Sequence, residues 1–153
     1  MFQQLNLPQF DVQLRESGGQ VSVYDKLRQK WVALTPEEWV RQHFVNYLTV
    51  HCGFPSAMMT NEVGLKLNNT QRRCDTVIYT RSLDPLCIVE YKRPSVEITR
   101  TVFDQIARYN SVLGAQFLIV SNGLRHFCCR FNGDTYDFLR EIPSYNEMTS
   151  NGL

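Results

Sequence analysis

The feature that most constrains the fold is an apolar run at residues 86–89, which leads directly into Glu90 and Lys92. A near-continuous apolar run of this kind predicts a central strand that is buried on both faces. A segment of helical periodicity, from about 99 to 113, separates it from a second apolar run at 116–121. Because a strand, a helix and a second strand in this order form a crossover, we expect the two strands to pair in parallel within a mixed α/β sheet.

The first third of the chain predicts a small β element that leads into a helix. Alternating apolar and polar residues indicate strands at 10–14 and 21–24 around the turn Gly18-Gly19, and a third short apolar run follows at 31–34. The helix is predicted to begin at Thr35, which has Pro36 after it and Glu38 three residues on. Its expected core face is Val40, Phe44, Tyr47 and Leu48, and Gly53 and Pro55 are expected to end it.

The remaining elements complete a strand-rich block. Strands are predicted at 58–67, closed by Asn68-Asn69, and at 73–80, before the central strand. The second helix shows an apolar stripe of Ile98, Val102, Ile106, Tyr109 and Leu113. After the second apolar run, Asn122-Gly123 predicts a tight turn and 124–131 a further strand.

These elements predict one α/β domain over 1–153, a length ordinary for a single domain. An N-terminal β-hairpin extension would occupy about 1–34. A core with a central mixed β-sheet flanked by helices would occupy 35–132. The polar segment 133–153 would form a C-terminal tail whose end is disordered.

Composition bears on which binding partners and which cellular compartment are expected for the protein. The formal net charge of +1 gives no global field that would attract nucleic acid, although Arg72, Arg73, Lys92 and Arg93 can form a local basic cleft. The 5 cysteines contain no CxxC pair, which favours a reducing compartment and no structural zinc. No secretory signal and no apolar stretch of about 20 residues is visible, so a cytoplasmic location is expected.

Three charged residues in apolar strands indicate chemistry. Asp75 interrupts one strand and Glu90 ends another, and an ionised carboxylate in such a place is costly unless it is paired or binds a metal. Lys92 shares the face of Glu90 because residues i and i+2 of a strand point the same way. Two carboxylates can hold Mg²⁺, and the lysine can position or deprotonate an attacking water. The alternative is a structural ion pair, since a Glu-x-Lys tripeptide is common.

Two helices offer further candidates. In the second helix Gln105 and Tyr109 are four residues apart and share one face. The alternative for them is a solvent-edge glutamine and an ordinary core tyrosine. In the first helix Glu38 either completes a capping box or reaches the acidic site from the side.

These segments together resemble a known family. Arg73-Cys74-Asp75, Glu90-Tyr91-Lys92 and the Gln105/Tyr109 pair are similar to the PD-(D/E)XK nuclease superfamily, in the branch with a Q-x-x-x-Y helix. More narrowly, the segments 35–42, 89–94 and 103–110 resemble the N-terminal domain of type I restriction enzyme R (endonuclease) subunits. The resemblance covers about 23–131 and implies a restriction-endonuclease-like core.

The resemblance also implies an activity and roles for residues. The activity is Mg²⁺-dependent (or Mn²⁺-dependent) hydrolysis of DNA phosphodiester bonds, with Lys92 as the catalytic lysine and Gln105 and Tyr109 beside it. Asp75 and Glu90 would be metal ligands, with the Tyr91 carbonyl as a possible third. Glu38 is the preferred further acid, ahead of Glu37 and Glu62. DNA contacts are expected from Lys92, Arg93, Gln105 and Tyr109.

The sequence departs from the family pattern at two points. Cys74 stands where the superfamily has proline before the first aspartate. R subunits continue into ATP-driven translocase domains, but this sequence contains no G-x-x-x-x-G-K-[ST] loop, so other subunits are expected to supply translocation or specificity. The rival hypothesis is a nucleic-acid- or protein-binding module that keeps the nuclease fold without turnover.

Overall fold

The computed structural model of the protein describes residues 2–67 and 70–150, which contain two sheets and three α-helices. The strands are β1 (Leu14–Ser17), β2 (Gln20–Asp25), β3 (Lys30–Ala33), β4 (Met59–Leu67), β5 (Thr70–Tyr79), β6 (Pro85–Tyr91), β7 (Phe117–Ser121), β8 (His126–Asn132) and β9 (Thr135–Leu139). The helices are α1 (Pro36–Asn46), α2 (Arg100–Ser111) and α3 (Tyr145–Thr149). A π-helical turn, Tyr47–His51, follows α1, and a 3-10 turn, Ser56–Met58, precedes β4. The predicted turn at Asn68-Asn69 lies outside the described residues.

The main sheet has six strands in the order β4-β5-β6-β7-β8-β9 within the described residues. Only β6 and β7 are parallel in this sheet, with Val89 opposite Ile119 and Glu90 opposite Val120. The helix α2 connects them, so the predicted crossover and the mixed α/β sheet are confirmed. β1, β2 and β3 form a separate antiparallel sheet, which confirms the N-terminal hairpin extension.

Each face of the main sheet is covered by a helix. On one face, Val40, Phe44 and Leu48 pack against alternate residues of β6 and β7, including Val89 and Ile119. On the other face, the α2 residues Phe103, Ile106 and Ala107 pack against Val77, Ile88 and Leu118. β7 is buried along its whole length. The strands β6 and β7 are therefore buried except at Pro85 and Glu90 of β6, and Glu90 lies at the end of the strand, near the other charged residues.

The structure revises the predicted first strand. Of the predicted 10–14 only Leu14 belongs to β1, which runs to Ser17 because Gly18 and Gly19, with φ of 59° and 79°, form the hairpin turn. All four residues of β1 are exposed, so the strand has no buried face that would require alternating apolar and polar residues. The alternation at 10–14 belongs to the segment that precedes the strand.

The second helix buries most of the predicted stripe, and Tyr109 is the exception. Ile106 is buried, and Ile98, Val102 and Leu113 are partly buried and pack against the same core cluster, which confirms these four positions. Tyr109 is 41% exposed, whereas Phe103, Ala107 and Asn110 are buried with Ile106. The buried face is therefore centred to one side of the stripe, and Asn110, rather than Tyr109, lies against the sheet.

The segment after residue 133, predicted as a polar tail, contains ordered elements. β9 pairs antiparallel with β8, and α3 begins with a capping box in which Ser144 and Glu147 bond reciprocally. Only Tyr145 and Met148 of α3 are buried, and they pack into the core on the α1 side. Two buried residues in a polar segment give too weak a periodicity to predict a helix. The predicted disorder at 151–153 lies outside the described residues.

Candidate acidic site at the end of the central strand

Asp75 and Glu90 lie side by side where β5 and β6 separate. The ladder between the two strands ends at the pair Thr76 and Val89, so the next residues along, Asp75 and Glu90, face each other. Here the side chain of Asp75 replaces the main-chain partner, because the Tyr91 N–H donates to Asp75 Oδ2 at 2.9 Å. The Lys92 N–H donates to the Ser121 carbonyl at 2.9 Å and continues the contact with β7. Hydrogen bonds from the Tyr91 and Lys92 N–H groups thus hold the segment that carries Glu90 and Lys92.

Burial raises the pKa of both carboxyl groups, and the charge of Asp75 raises the pKa of Glu90 further. Burial is the main cause for Asp75, and Glu62 and Glu37 add to it, while the Tyr91 N–H and Arg41 oppose it. Burial is also the main cause for Glu90, followed by the charge of Asp75, while Lys92 and a hydrogen bond from Asn110 lower the pKa. Two carboxylates that destabilise each other's ionised form make a place where a cation is favoured.

In the part of the chain that the structure describes, the cation paired with Asp75 is Arg41. Its Nη2 lies 3.6 Å from Asp75 Oδ1 and also bonds to Glu62 Oε1, while its Nη1 donates to Glu38 Oε1 at 2.5 Å. The guanidinium Cζ lies 5.6 Å from the centre of the Tyr91 ring. Arg41 is 5% exposed, so water screens these interactions weakly.

Glu38, the preferred further metal ligand, is engaged elsewhere in the structure. Its Oε1 accepts from Arg28 Nη2 at 2.7 Å and from Arg41, and its Oε2 accepts from Gln42 Nε2 at 2.9 Å. These bonds also mean that Glu38 does not complete a capping box, although Thr35 Oγ1 caps the helix by accepting from the Glu38 N–H at 3.0 Å. Arg41 therefore lies between the Glu38 carboxylate and Asp75.

The other two acids proposed as a further metal ligand, Glu37 and Glu62, both raise the pKa of Asp75. Glu37 is exposed at the start of α1 and raises the pKa of both Asp75 and Glu90. Glu62 lies opposite Asp75 on β4 but is held by Arg41 and by Arg73 at 2.9 Å. Of these three acids, Glu37 is the one that raises the pKa of both central carboxyl groups, whereas Glu62 has the larger effect on Asp75 alone.

The structure places the other predicted residues around the end of β6. Lys92 is half-buried and close enough to lower the pKa of Glu90, and Arg93 is exposed just beyond it. Gln105 and Tyr109 are both exposed on α2. The α2 residue that reaches the acidic pair is Asn110, whose Nδ2 donates to Glu90 Oε2 at 3.3 Å and to the Ile106 carbonyl at 2.9 Å.

Sequence reasoning missed Asn110 and Arg41. Asn110 directly follows the Q-x-x-x-Y pair, and its polar side chain in a helix interior was a signal that could have been followed. Arg41 follows Val40 on the core-facing side of α1, where a cation needs an acidic partner. Which side chains face the site depends on how each helix is rotated relative to the sheet, so both residues are recognised only once that rotation is known.

A chain of buried hydrogen bonds connects this site to the N-terminal sheet. Tyr91 Oη lies 2.8 Å from Thr76 Oγ1, which donates to Asn61 Oδ1 at 2.6 Å. Asn61 Nδ2 in turn donates to Asp25 Oδ2 at 2.9 Å. Asp25 binds Arg28, which completes a loop through Glu38 and Arg41 back to Tyr91 and Asp75. We call this loop of bonds the polar ring.

The donor set fits a hard divalent cation in part. Among the residues that the structure describes, no three His, Cys, Asp or Glu side chains converge as a metal cluster. Mg²⁺, however, is commonly bound by one or two carboxylates and keeps several waters, and Asp75 and Glu90 supply two adjacent carboxylates. Burial raises the pKa of both carboxyl groups even though Arg41 and Lys92 oppose the shift, and a bound cation would favour their ionised forms. The residues present therefore fit such an ion.

A separate cleft lies on the far side of α1. It has a volume of about 440 Å³ and is lined by residues such as Phe10, Tyr24, Asn46 and Met59. Neither Asp75 nor Glu90 lines this cleft. The acidic pair instead sits at the open end of the sheet, which a large substrate can approach.

The fold and the acidic pair define a mixed α/β domain with a restriction-endonuclease-like core. A family model described as "Type I restriction enzyme R protein N terminus (HSDR_N)" matches residues 36–143, most of the chain. The chain therefore belongs to the family of type I restriction enzyme R protein N termini.

Comparison of structures agrees with this fold. A similar solved structure is the fragment structure of a putative HsdR subunit of a type I restriction enzyme from Vibrio vulnificus YJ016, with a TM-score of 0.56 and 19% identity. The match covers 75% of this chain but only 24% of that chain. No curated protein sequence gives a significant match. In the described part of the chain, no helix combines the length and apolarity needed to cross a membrane.

Proposed function

We propose that this chain is a metal-dependent DNA endonuclease domain of the PD-(D/E)XK type. The observation that supports it best is the pair of half-buried carboxylates, Asp75 and Glu90, with Lys92 beside them at the end of a central strand. Type I restriction enzyme membership provides the context of DNA as substrate and of other subunits as partners in the cytoplasm.

In this proposal Asp75 and Glu90 bind Mg²⁺ or Mn²⁺, with the Tyr91 carbonyl as a further oxygen donor. When bound, the ion lowers the pKa of a coordinated water and stabilises charge on the phosphoryl group. The hydrogen bond from the Tyr91 N–H orients Asp75, and that from Asn110 orients Glu90.

Lys92 positions the attacking water and stabilises the pentavalent phosphorane. Gln105 and Tyr109, which are exposed on α2, contact the DNA backbone beside Lys92. The exposed Arg93 makes a further contact with the backbone. Glu38 was the first choice for a further metal ligand, but its three hydrogen bonds favour Glu37 for that position.

Plasmid cleavage tests the proposal. Purified protein is incubated with supercoiled DNA in Mg²⁺ or Mn²⁺, and Asp75→Asn, Glu90→Gln and Lys92→Met are each expected to abolish nicking. Glu97→Gln, which changes an exposed acid outside the site, is the matched control and should cleave normally. Equal cleavage by wild type and all three site variants would remove the assignment.

A non-catalytic binding module is the second candidate. It is favoured by the small net charge and by the neutralising contact from Arg41 to Asp75. It predicts that wild-type protein retains DNA in a gel-shift assay, with Mg²⁺ or Mn²⁺ present, and never cuts it. Cleavage that depends on Glu90 would exclude this candidate.

A further inference from the structure

Arg41 sits at the centre of an acidic cluster with more negative than positive partners. Glu38, Glu62 and Asp75 all lie within 4 Å of its guanidinium nitrogens. Its Nε is buried and has no hydrogen-bond partner among the described residues, so the guanidinium is held by its two terminal nitrogens. The charge of one arginine is thus shared among several carboxylates.

The contact with Asp75 differs from the other two. Glu38 and Glu62 are bonded directly, whereas Asp75 Oδ1 is 3.6 Å from Nη2, beyond hydrogen-bond distance. Asp75 Oδ2 is already fixed by the Tyr91 N–H, so Oδ1 is the oxygen left to face Arg41. This same oxygen is the one that a bound cation would take.

We propose that Arg41 is a positioning residue that substitutes for the charge of the metal, holding Asp75 while the site is empty and opposing cation binding at Oδ1. The inference rests on the proposed metal site. Arg41 remains anchored when its contact with Asp75 is lost, because Glu38 is itself held by Arg28 and Gln42. The cation and Arg41 therefore compete for one carboxylate oxygen.

The expected size of this competition follows from the distances. A cation about 2.1 Å from Oδ1, the usual Mg²⁺ distance, lies within about 6 Å of Nη2. Even with the dielectric constant of water, repulsion between a divalent and a unit charge at about 6 Å weakens binding about tenfold. Burial of Arg41 makes this a lower bound.

The direct test is the affinity for Mn²⁺, measured by electron paramagnetic resonance of the free ion. Replacement of Arg41 alone would leave buried carboxylates unpaired. Arg41 is therefore changed together with its partner Glu38, as Glu38→Gln/Arg41→Met. We expect this double variant to bind Mn²⁺ about tenfold more tightly than Glu38→Gln alone, because the two proteins then differ only by the charge of Arg41. Arg41→Lys keeps the charge and should bind within about threefold of wild type.

Arg73→Gln is the matched control. Arg73 also pairs with Glu62, but its side chain is 71% exposed and, among the described residues, its ion pair is with Glu62 and not with Asp75. Its loss should leave the Mn²⁺ affinity unchanged. Binding by a folded double variant that is no tighter than that of Glu38→Gln would overturn the inference, since a merely structural arginine predicts no gain in affinity.

A second measurement uses the wild-type protein and does not depend on folding of a variant. The side-chain nitrogen signals of Arg41 are followed by nuclear magnetic resonance during titration with Mg²⁺. They are expected to shift with the same saturation curve as the Asp75 and Glu90 signals. Arg41 signals that stay constant while those carboxylates respond would refute the inference alone, whereas no response of any of them would refute the proposed metal site as well.

Discussion

Thr76→Val is the sharpest test of the buried hydrogen bonds behind the acidic site. Thr76 is fully buried, and its hydroxyl bonds to both Tyr91 Oη and Asn61 Oδ1. Valine has nearly the same shape but cannot bond, so two buried polar atoms lose their partner. Each orphaned atom costs about 1–3 kcal/mol, and partial relief from the more apolar side chain leaves about 2–4 kcal/mol of lost stability.

Urea unfolding measures this loss. With a slope of about 2 kcal/mol/M, the midpoint should fall by about 1–2 M. Tyr91→Phe alone should cost only about 1 kcal/mol, since Thr76 keeps its bond to Asn61. The double variant should cost less than the sum, because the orphaned Tyr91 hydroxyl is gone.

Thr60→Val, at an exposed position of β4, is the control and should change stability by less than about 0.5 kcal/mol. The reasoning fails if Thr76→Val costs no more than this control. It also fails if the two changes at Thr76 and Tyr91 are strictly additive, since the bond between them would then have no energetic effect.

Two further predictions concern pH and backbone geometry. Because the folded-state pKa values of Asp75 and Glu90 are raised, their contribution to stability is fully present at low pH and is lost as pH rises through those values. Asp75→Asn/Glu90→Gln should therefore gain melting temperature relative to the metal-free wild type between about pH 4 and pH 8, and a difference independent of pH would contradict this. Gly123→Ala should cost about 2–4 kcal/mol, because φ is 85° and the new Cβ would lie 2.7 Å from a Leu5 methyl group. Gly18→Ala, with φ of 59° and open space around it, should cost only about 1 kcal/mol in the same unfolding assay, and equal losses would show that the Leu5 contact is irrelevant.

The elements that the sequence predicted well are those whose burial leaves a strong pattern. The central strand and its parallel partner are buried on both faces, so their apolar runs were visible, and the crossover followed from their order. Asp75 and Glu90 were found because a carboxylate within an apolar strand is unusual. The pattern failed at β1, where all residues are exposed, and at α3, where two buried residues anchor the helix.

The choice among neighbouring acids shows a different limit. Glu37 and Glu38 are adjacent, but successive helix residues point about 100° apart, so the rotation of α1 decides which one faces the sheet end. That rotation depends on how Val40 and Phe44 pack against the sheet, which is tertiary information. Arg41 and Asn110 were missed for the same reason, since each gains its partner only when a helix is placed on the strands.

The polar ring bears on where the functional unit begins. The family match begins at residue 36, but Asp25 and Arg28 of the ring lie before it. In a fragment cut to the matched boundaries, Glu38 would lose its bond from Arg28 and Asn61 would lose its acceptor Asp25. Both lost bonds lie close to Arg41 and Tyr91. Expression of a shortened domain should therefore start ahead of the N-terminal hairpin, because Asp25 and Arg28 from this region contribute side chains to the interior behind the acidic site.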